Sequence, residues 1–488
     1  MSIRDPSHSA SGRSSRLGRI CLALALSVPV AAAAGGLTVL HGFDFDDGQY
    51  PEGRIVQGPD GRYYGTTYAG GVYGYGTAFA VTSAGSFEIL HSFAATDGQQ
   101  LDAGLTTFPD GNLYGSTPQG TTQVGGSFIG FGGSVFRITT AGALSTLRTF
   151  TATGRPDGDT PGSLVDGGDG YLYGTMARGG NASDAGTVFK LAPDGSFGTL
   201  HAFVPSEGQE PGGLMRGSDG NLYGSLRYGP TANPHGAIFR ITPTGSLTIL
   251  HVFNGTDGSG PASGFVEMPA GTFYGVTVSG GPYGGGTVFR MTADGTVTTL
   301  YGFNGWDAYE PVGGLARGPD GKLYGLAFGG GTSGYGAIFR ITPLGKLTVL
   351  RLLSPFDGTE PVAAPIFGSD GLLYGTTTQY GGAPGASGSV FSFDALAPQP
   401  ATLSMTKTCY NEFGECIPPF DTIVGQPYSV QWSSANLDAC FASGAWSGRK
   451  PIGGQLKVTP TKRGLYVYRL ACTGGGVTKT TVVTVSVI

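Results

Sequence analysis

Three sets of residues in this chain have types and spacings that could do chemistry. The first is a ring of carboxylates, Asp47, Asp97, Asp157, Glu207, Asp257, Asp307 and Asp357, one in each copy of an internal repeat. Most are followed by Gly, so an Asx-type turn accounts for the residue without any ligand. Calcium is the alternative, with Asp44, Asp46 and Asp47 as donors, although Gly48 breaks the spacing of a helix–loop–helix calcium loop. The expectation is therefore no cofactor and no metal, calcium being the one exception entertained. The second set, His41, His91, His201 and His251, invites zinc. Their shared repeat position places neighbouring copies on the order of 20 Å apart, whereas zinc bonds are about 2 Å long, so they read as structural. The third set lies at the end of each repeat's first strand, where Asp166, Arg216, Glu267 and Arg317 follow Gln57 and Thr107. Charges of both signs around a central channel usually line solvent, and these four are the residues to consider for acid, base or electrophilic work if a reaction occurs there.

No familiar motif adds to them. GxSxG, HExxH and GxxxxGK[ST] are missing, and Gly329, Gly331 and Gly334 match GxGxxG between two strands with no helix after them to receive a phosphate. A non-catalytic binding or surface-interaction protein is the leading expectation, and an extracellular propeller enzyme such as a polysaccharide lyase or hydrolase, acting at the channel mouth, is the alternative.

The elements that must position these residues repeat seven times. The Gly of an LYG-like tripeptide falls at Gly65, Gly115, Gly174, Gly224, Gly275, Gly325 and Gly375, a period near 50 that marks one supersecondary unit used repeatedly. Within a copy the apolar pattern has period 2, giving four strands a to d; in the sixth copy these are 314–317, 323–327, 337–342 and 347–353. The ab and cd turns are short and carry Asp-Gly chemistry, while the bc and da loops are longer and variable. Four-stranded antiparallel units at this period predict propeller blades. The chain starts with a lone d strand, 37–43, and its seventh copy stops at strand c, 389–393, so pairing the two would close the ring.

The expected fold is all-β: a seven-bladed β-propeller over 35–395 closed by an N-terminal strand, a linker at 396–401 and a small immunoglobulin-like β-sandwich over 402–488. Recognition would fall on the bc loops, through Tyr73, Tyr75, Phe128, Phe131, Arg178, Arg227, Tyr228, Tyr283, Tyr335 and Tyr380, residues suited to a glycan or a protein. The longest of these loops is 117–132.

Residues 1–34 read as a signal peptide, with Arg13, Arg16 and Arg19 ahead of a 15-residue apolar run too short to span a bilayer. That predicts a secreted, periplasmic or surface-associated protein, with no transmembrane segment in the mature chain. Net charge is −5 with no basic stripe, which argues against nucleic acid. A monomer is expected. Cys409, Cys416, Cys440 and Cys472 all lie in the tail and suit two disulfides in an oxidising compartment. Three pairings are open, Cys409 with Cys416 and Cys440 with Cys472 being preferred.

The succession DGxLYG, a Gly-rich loop, GTVFRITPDG and LTVLHSF resembles the GloVer tandem repeats of exported bacterial proteins, over 36–395; Ala270 in place of Asp is one departure. The resemblance implies no established reaction and carries no catalytic residues. The tail, with VQWSSANLDACFASGAWSG, resembles the small immunoglobulin-like domains appended to such proteins. Trp432 is its expected core residue, Tyr466 resembles a tyrosine corner, and Trp446 is either a packed aromatic or a sugar-stacking one.

Overall fold

The computed structural model describes residues 36–120, 132–150, 156–331, 334–382, 385–398, 401–409 and 422–488, with the backbone of a short strand pair at Gln123–Val124 and Ser127–Phe128. Strands dominate throughout. Among the described residues seven antiparallel sheets of four or five strands follow one another, the first six running a-b-c-d in space as in sequence. In the sixth the strands are Leu315–Arg317, Leu323–Ala327, Ala337–Ile341 and Leu347–Leu352, within two residues of the expected bounds.

The repeated Gly has a packing reason. In each sheet it lies directly opposite the Phe of strand c, as in Gly65 with Phe79, Gly174 with Phe189 and Gly325 with Phe339. The ring lies across the glycine: a Cβ built on Gly65 or Gly174 would stand 2.5 Å from the phenyl Cζ. The LYG and VFR motifs are thus two halves of one cross-strand pair.

The sheets are held to one another by a recurring latch. The segment entering each sheet's first strand carries a Pro or Leu, at positions 51, 101, 161, 211, 261, 311 and 361, and the residue before it has positive φ: Tyr50, Gln100, Thr160, Glu210, Gly260, Glu310 and Glu360. Six of those seven are not glycine, and a side chain in that region costs about 1–2 kcal/mol. The turn aims the backbone N–H at the preceding sheet, so that Glu210 donates to the Ala185 carbonyl at 3.1 Å and Glu310 to that of Gly285 at 3.0 Å. The following Pro then covers a glycine of that sheet. A Cβ on Gly186, Gly236, Gly286 or Gly336 would lie 2.5 to 2.9 Å from Cδ of Pro211, Pro261, Pro311 or Pro361.

The same latch joins the two ends of the repeat array. Tyr50 donates to the Ser387 carbonyl at 2.8 Å, and a Cβ on Gly388 would stand 2.6 Å from Cδ of Pro51. Beside it, strand Leu37–Gly42 pairs antiparallel with Ser389–Phe393, Thr38 opposite Ser392, supplying the seventh sheet's outer strand. The apolar core follows this arrangement. Each cluster fills the gap between two neighbouring sheets, one of them uniting Phe43, Ile55, Tyr63 and Phe79 with Ile366, Tyr374 and Val390 from the far end of the chain.

The tail forms two further sheets that face each other. One contains Thr402–Cys409, Tyr428–Ala435 and Gly453–Val458; the other contains Gly448–Lys450, Ala439–Gly444, Gly464–Gly474 and Val477–Val487. Trp432 is buried between them, edge-on to Trp446 at 5.0 Å. The Tyr466 hydroxyl donates to the Lys462 carbonyl at 3.0 Å, as a tyrosine corner does. Cys440 and Cys472 are bonded, but across adjacent strands of one sheet and not between sheets. The Cys409 side chain and Cys416 lie outside the described residues. The tail packs on the outer edge of the sixth sheet: Asn436 donates its backbone N–H to the Val349 carbonyl and its amide to that of Leu350, at 2.8 and 2.9 Å. Leu347–Leu350 is buried there, whereas the matching stretch of other sheets is partly exposed.

Candidate functional site

The da and bc loops share one edge of the repeat array, joined by bridges such as Gln49 with Ala69 and Thr359 with Gln379. The loop aromatics are therefore presented together on one face. Tyr73, Tyr283 and Tyr380 are 60%, 69% and 45% exposed, and Tyr335 is exposed as well. Tyr75 instead turns inward against the core between the first two sheets. Arg178 is exposed, and Arg227 reaches Glu210 at 3.3 Å while lying over Tyr228. The Phe128 side chain and Phe131 lie outside the described residues. Three apolar residues not singled out in the sequence join this face: Phe45, Val72 and Phe356, at 59%, 76% and 84% exposure. Phe45 and Val72 belong to the first sheet's loops and Phe356 to the seventh's, so with Tyr73 and Tyr380 they flank the junction of the chain ends.

The carboxylate ring and the histidines turn out to be partners. His41 meets Asp47 at 2.7 Å, His91 meets Asp97 at 3.1 Å, His201 meets Glu207 at 2.9 Å and His251 meets Asp257 at 2.9 Å. Where the histidine is replaced, Arg148, Tyr301 and Arg351 take its place against Asp157, Asp307 and Asp357. The same carboxylates cap their turns, Asp47 accepting from the Asp44 N–H and Asp257 from that of Asn254, both at 2.9 Å. Asp44 accepts the N–H groups of Asp46 and Asp47. These contacts engage the Asp47 carboxylate and one Asp44 oxygen, and no group of three His, Cys, Asp or Glu among the described residues is placed to hold a metal. Burial pushes the Asp307 carboxyl up, and burial with the neighbouring Asp307 charge pushes the Tyr301 phenol up.

The opposite edge, where the ab turns lie, carries a second structural device. In the DGxLYG motif one Asp oxygen accepts the N–H two residues on and the other accepts the Tyr hydroxyl, at 2.6 Å for Asp60 with Tyr64 and Asp110 with Tyr114. Burial first, then the bond to the Asp and its charge, pushes the Tyr114, Tyr223 and Tyr324 phenols up to about 12. Asp166, Arg216, Glu267 and Arg317 end their inner strands at this edge, in four different sheets. Asp166 accepts from the Gly168 N–H at 2.7 Å. Glu267 accepts from the Ser218 N–H and hydroxyl, both at 2.7 Å, and from the Gly271 N–H at 2.6 Å, holding the turn in which Ala270 replaces the usual Asp. Arg317 lines a shallow hollow with Phe367 and Ser369. The Arg216 guanidinium lies against Gly168, in the turn that Asp166 caps, and Glu267 reaches Ser218, two residues beyond Arg216.

A different charged group stands at the other end of the inner strands, on the loop side. Glu52 and Arg54 lead into the first inner strand and Asp102 into the second, while the positions matching Glu52 and Asp102 elsewhere are uncharged: Gly162, Gly212, Ala262, Val312 and Val362. Backbones crowd there: a Cβ on Gly53 would lie 2.6 Å from Cα of Gly104, and one on Gly264 2.7 Å from the Gly313 oxygen. Protein surrounds the Arg54 guanidinium and lowers its pKa, although solvent reaches the side chain, and it makes no ion pair among the described residues. Surrounding protein desolvates the Asp102 carboxyl and pushes it up to about 6, although solvent reaches this side chain too. Burial and then the Asp102 charge raise Glu52, and burial followed by both carboxylates raises the Tyr68 phenol. A carboxyl that titrates near neutrality next to a second carboxyl can exchange protons or bind a polar ligand. Sequence reasoning missed this group because only two of the seven copies carry the charges, so the repeat averages them away.

Repeated four-stranded sheets, each latched to the next around cores that lie between sheets, define a β-propeller-type repeat protein. The chain belongs to the Gloeobacter/Verrucomicrobia repeat family, whose model matches residues 28–131, 119–269 and 232–410. Among curated proteins, none matches it in sequence. Its fold is similar to that of the extracellular domain of a hybrid two-component system protein from B. thetaiotaomicron, with a TM-score of 0.52 at 10% identity. That alignment covers 93% of this chain, which spans 58% of the length of the other. PorZ, a surface component of the type-IX secretion system of Porphyromonas gingivalis, aligns at TM-score 0.45 and 11% identity, over 92% of this chain and 61% of that one. A gluconolactonase from Xanthomonas campestris aligns at TM-score 0.38 and 16% identity, over 60% and 86%. No helix among the described residues is long and apolar enough to cross a membrane.

Proposed function

We propose that this chain is an exported, non-catalytic binding protein. In this reading a leader at 1–34 precedes a closed seven-bladed propeller at 35–395, and a joint at 396–401 leads to an immunoglobulin-like sandwich at 402–488. The loop face takes an extracellular glycan or protein. One observation carries the reading: Tyr73, Val72, Phe45, Phe356 and Tyr380 stand exposed on one face around the junction of the chain ends, which is the kind of surface that marks a recognition site. The Cys440–Cys472 bond supports an oxidising destination. Glycan arrays and pulldowns with the mature protein, set against Tyr73→Ser/Tyr380→Ser and a deletion of 117–132, provide the test. Ligands kept by both variants would rule out the loop face.

A second reading, an enzyme acting on extracellular polysaccharide at the channel mouth, is favoured by Asp102 and Glu52, two carboxyls whose pKa values are raised and of which Asp102 acts on Glu52 through its charge. These residues suit acid–base work better than Asp166, Arg216, Glu267 and Arg317, which lie at the other edge. Substrate screening followed by Asp102→Asn separates the two readings: turnover that this substitution abolishes establishes the enzyme.

A further inference from the structure

A cleft of about 580 Å³ opens where the tail meets the repeat array, in the size range of small-ligand sites. Its array side is built from the bc loop of the fifth sheet and the da loop that enters the sixth, through Tyr283, Asn304 and Trp306. Its tail side is the segment Arg449, Lys450 and Pro451 and the start of the strand Gly453–Val458. The two sides are fixed against each other. Asn304 donates its amide to the Gly453 carbonyl at 3.2 Å, and a Cβ on Gly453 would stand 2.7 Å from the Trp306 carbonyl, so only glycine admits this approach. Below them the Trp432 indole N–H donates to the Pro451 carbonyl at 3.0 Å, pinning the segment that carries both cations.

The chemistry of the lining is one-sided. Arg449 and Lys450 face the cleft and no carboxylate lines it, in a chain whose net charge is −5. Neither cation makes an ion pair among the described residues, whereas Lys346 nearby is paired with Asp438 at 3.2 Å. Lys450 rests over the Trp446 ring at 5.2 Å, which orients its ammonium without neutralising it. Tyr283 stands 69% exposed at the rim, and Trp306 is half-buried beside it. Flat aromatic faces suit the C–H faces of a pyranose ring, and an unpaired guanidinium suits a carboxylate.

From this geometry we infer that the cleft between tail and repeat array is a binding site for an acidic oligosaccharide of the uronate type, at the tail-side margin of the loop face and separate from the cluster around Tyr73 and Tyr380 proposed above. The tail supplies the charge and the repeat array supplies the platform, so the site exists only when the two are docked. Trp446, the tail aromatic that sequence reasoning offered for sugar stacking, is itself packed inside the sandwich with its N–H donated to the Arg469 carbonyl, and Tyr283 and Trp306 fill that role instead.

Calorimetric titration of the mature full-length protein with tri-galacturonic acid, and with the uncharged galactose trisaccharide, tests this inference. The acidic trisaccharide binds with a salt-dependent affinity and the neutral one at least roughly tenfold more weakly, as loss of a charge-assisted pair implies. Arg449→Ala/Lys450→Ala loses roughly tenfold or more on the acidic sugar, Tyr283→Ala weakens binding, and Arg449→Lys/Tyr283→Phe retains part of it. Circular dichroism checks that each variant is folded; should the double variant unfold, Tyr283→Ala carries the decision. No binding by the parent protein, equal binding of the two sugars, undiminished binding by the folded variants, or equal binding of a hexaglutamate peptide would each overturn the inference. Loop-face variants such as Tyr73→Ser leave this titration unchanged, so failure of one site does not entail failure of the other.

Discussion

The pairing of Leu37–Gly42 with Ser389–Phe393 is the contact most open to direct attack, because nothing covalent holds it. Thr38 and Ser392 are directly opposite in the register and carry no cross-sheet packing load comparable to the Val39 and Phe391 pair beside them. Thr38→Cys/Ser392→Cys therefore places two thiols within bonding reach, since opposed residues of an antiparallel pair have Cα atoms about 4.5–5.5 Å apart. The bridge would enclose a loop of about 350 residues. On the chain-entropy account that is worth about 6 kcal/mol at most, and bridges deliver about 2–4 kcal/mol in practice. The assay is non-reducing peptide mapping for the cross-link between the two substituted positions, expected to be near complete, followed by urea unfolding. The double variant should show a midpoint well above those of the two single-cysteine variants. Absence of the cross-link in folded protein, or a cross-link with no gain in midpoint, would refute the claim that the chain ends close the array.

Three further predictions concern the devices that repeat. Gly336→Ala, with φ of 108° and Pro361 over it, should lose about 2–4 kcal/mol by urea unfolding through backbone strain and overpacking, whereas Gly334→Ala, with φ of 73° and open space around it, should lose only about 1 kcal/mol. Removing Arg351 strands the nearly buried Asp357 carboxylate, so Arg351→Ala should cost about 2–3 kcal/mol, against under about 1 kcal/mol for His91→Ala at a more exposed pair; thermal midpoints compare them. Asp102 has a folded-state pKa above its unfolded value, so it lowers stability progressively as pH rises from about 4 to about 6 and adds no further slope beyond. Two units amount to about 3 kcal/mol, which solvent at this exposed side chain screens to about 1 kcal/mol. Asp102→Asn should accordingly gain about 1 kcal/mol on the parent protein between pH 4 and 7.5, and an unchanged difference would refute the desolvation of this group.

Much of the architecture was legible because the repeat reports it seven times. The Gly ruler, the alternation in strands b and c and the split of the seventh unit between 37–43 and 389–393 each follow from local chemistry. Pairings between repeat positions were less visible. His91 and Asp97 were weighed separately, as a zinc candidate and a turn former, although their spacing of six recurs with Arg351 and Asp357. A fixed interval between a cation and a carboxylate, kept while the cation changes type, was the available signal. The placement of Asp166 and Glu267 depended on which end of a short inner strand faces the variable loops, and there the strand direction outweighs composition. Glu52, Arg54 and Asp102 break the repeat, and a reading built on what recurs passes over what does not. In the tail, Trp446 could be assigned only once Trp432 and Tyr468 were seen packed against it.

Cores that lie between sheets, and not within them, have a bearing on how this protein is made. As the chain leaves the ribosome, each gap can fill once the next unit has emerged, so assembly proceeds by local steps of about 50 residues. The gap holding Phe43, Ile55 and Tyr63 is different: its other wall is among the last of the repeat to be synthesised. Until then the opening segment waits with its hydrogen-bonding edge and one apolar flank bare, an invitation to pair with a neighbouring copy. Newly made protein should therefore be most prone to aggregate or exchange strands during that interval, and a holding chaperone acting on the nascent chain would do most good there.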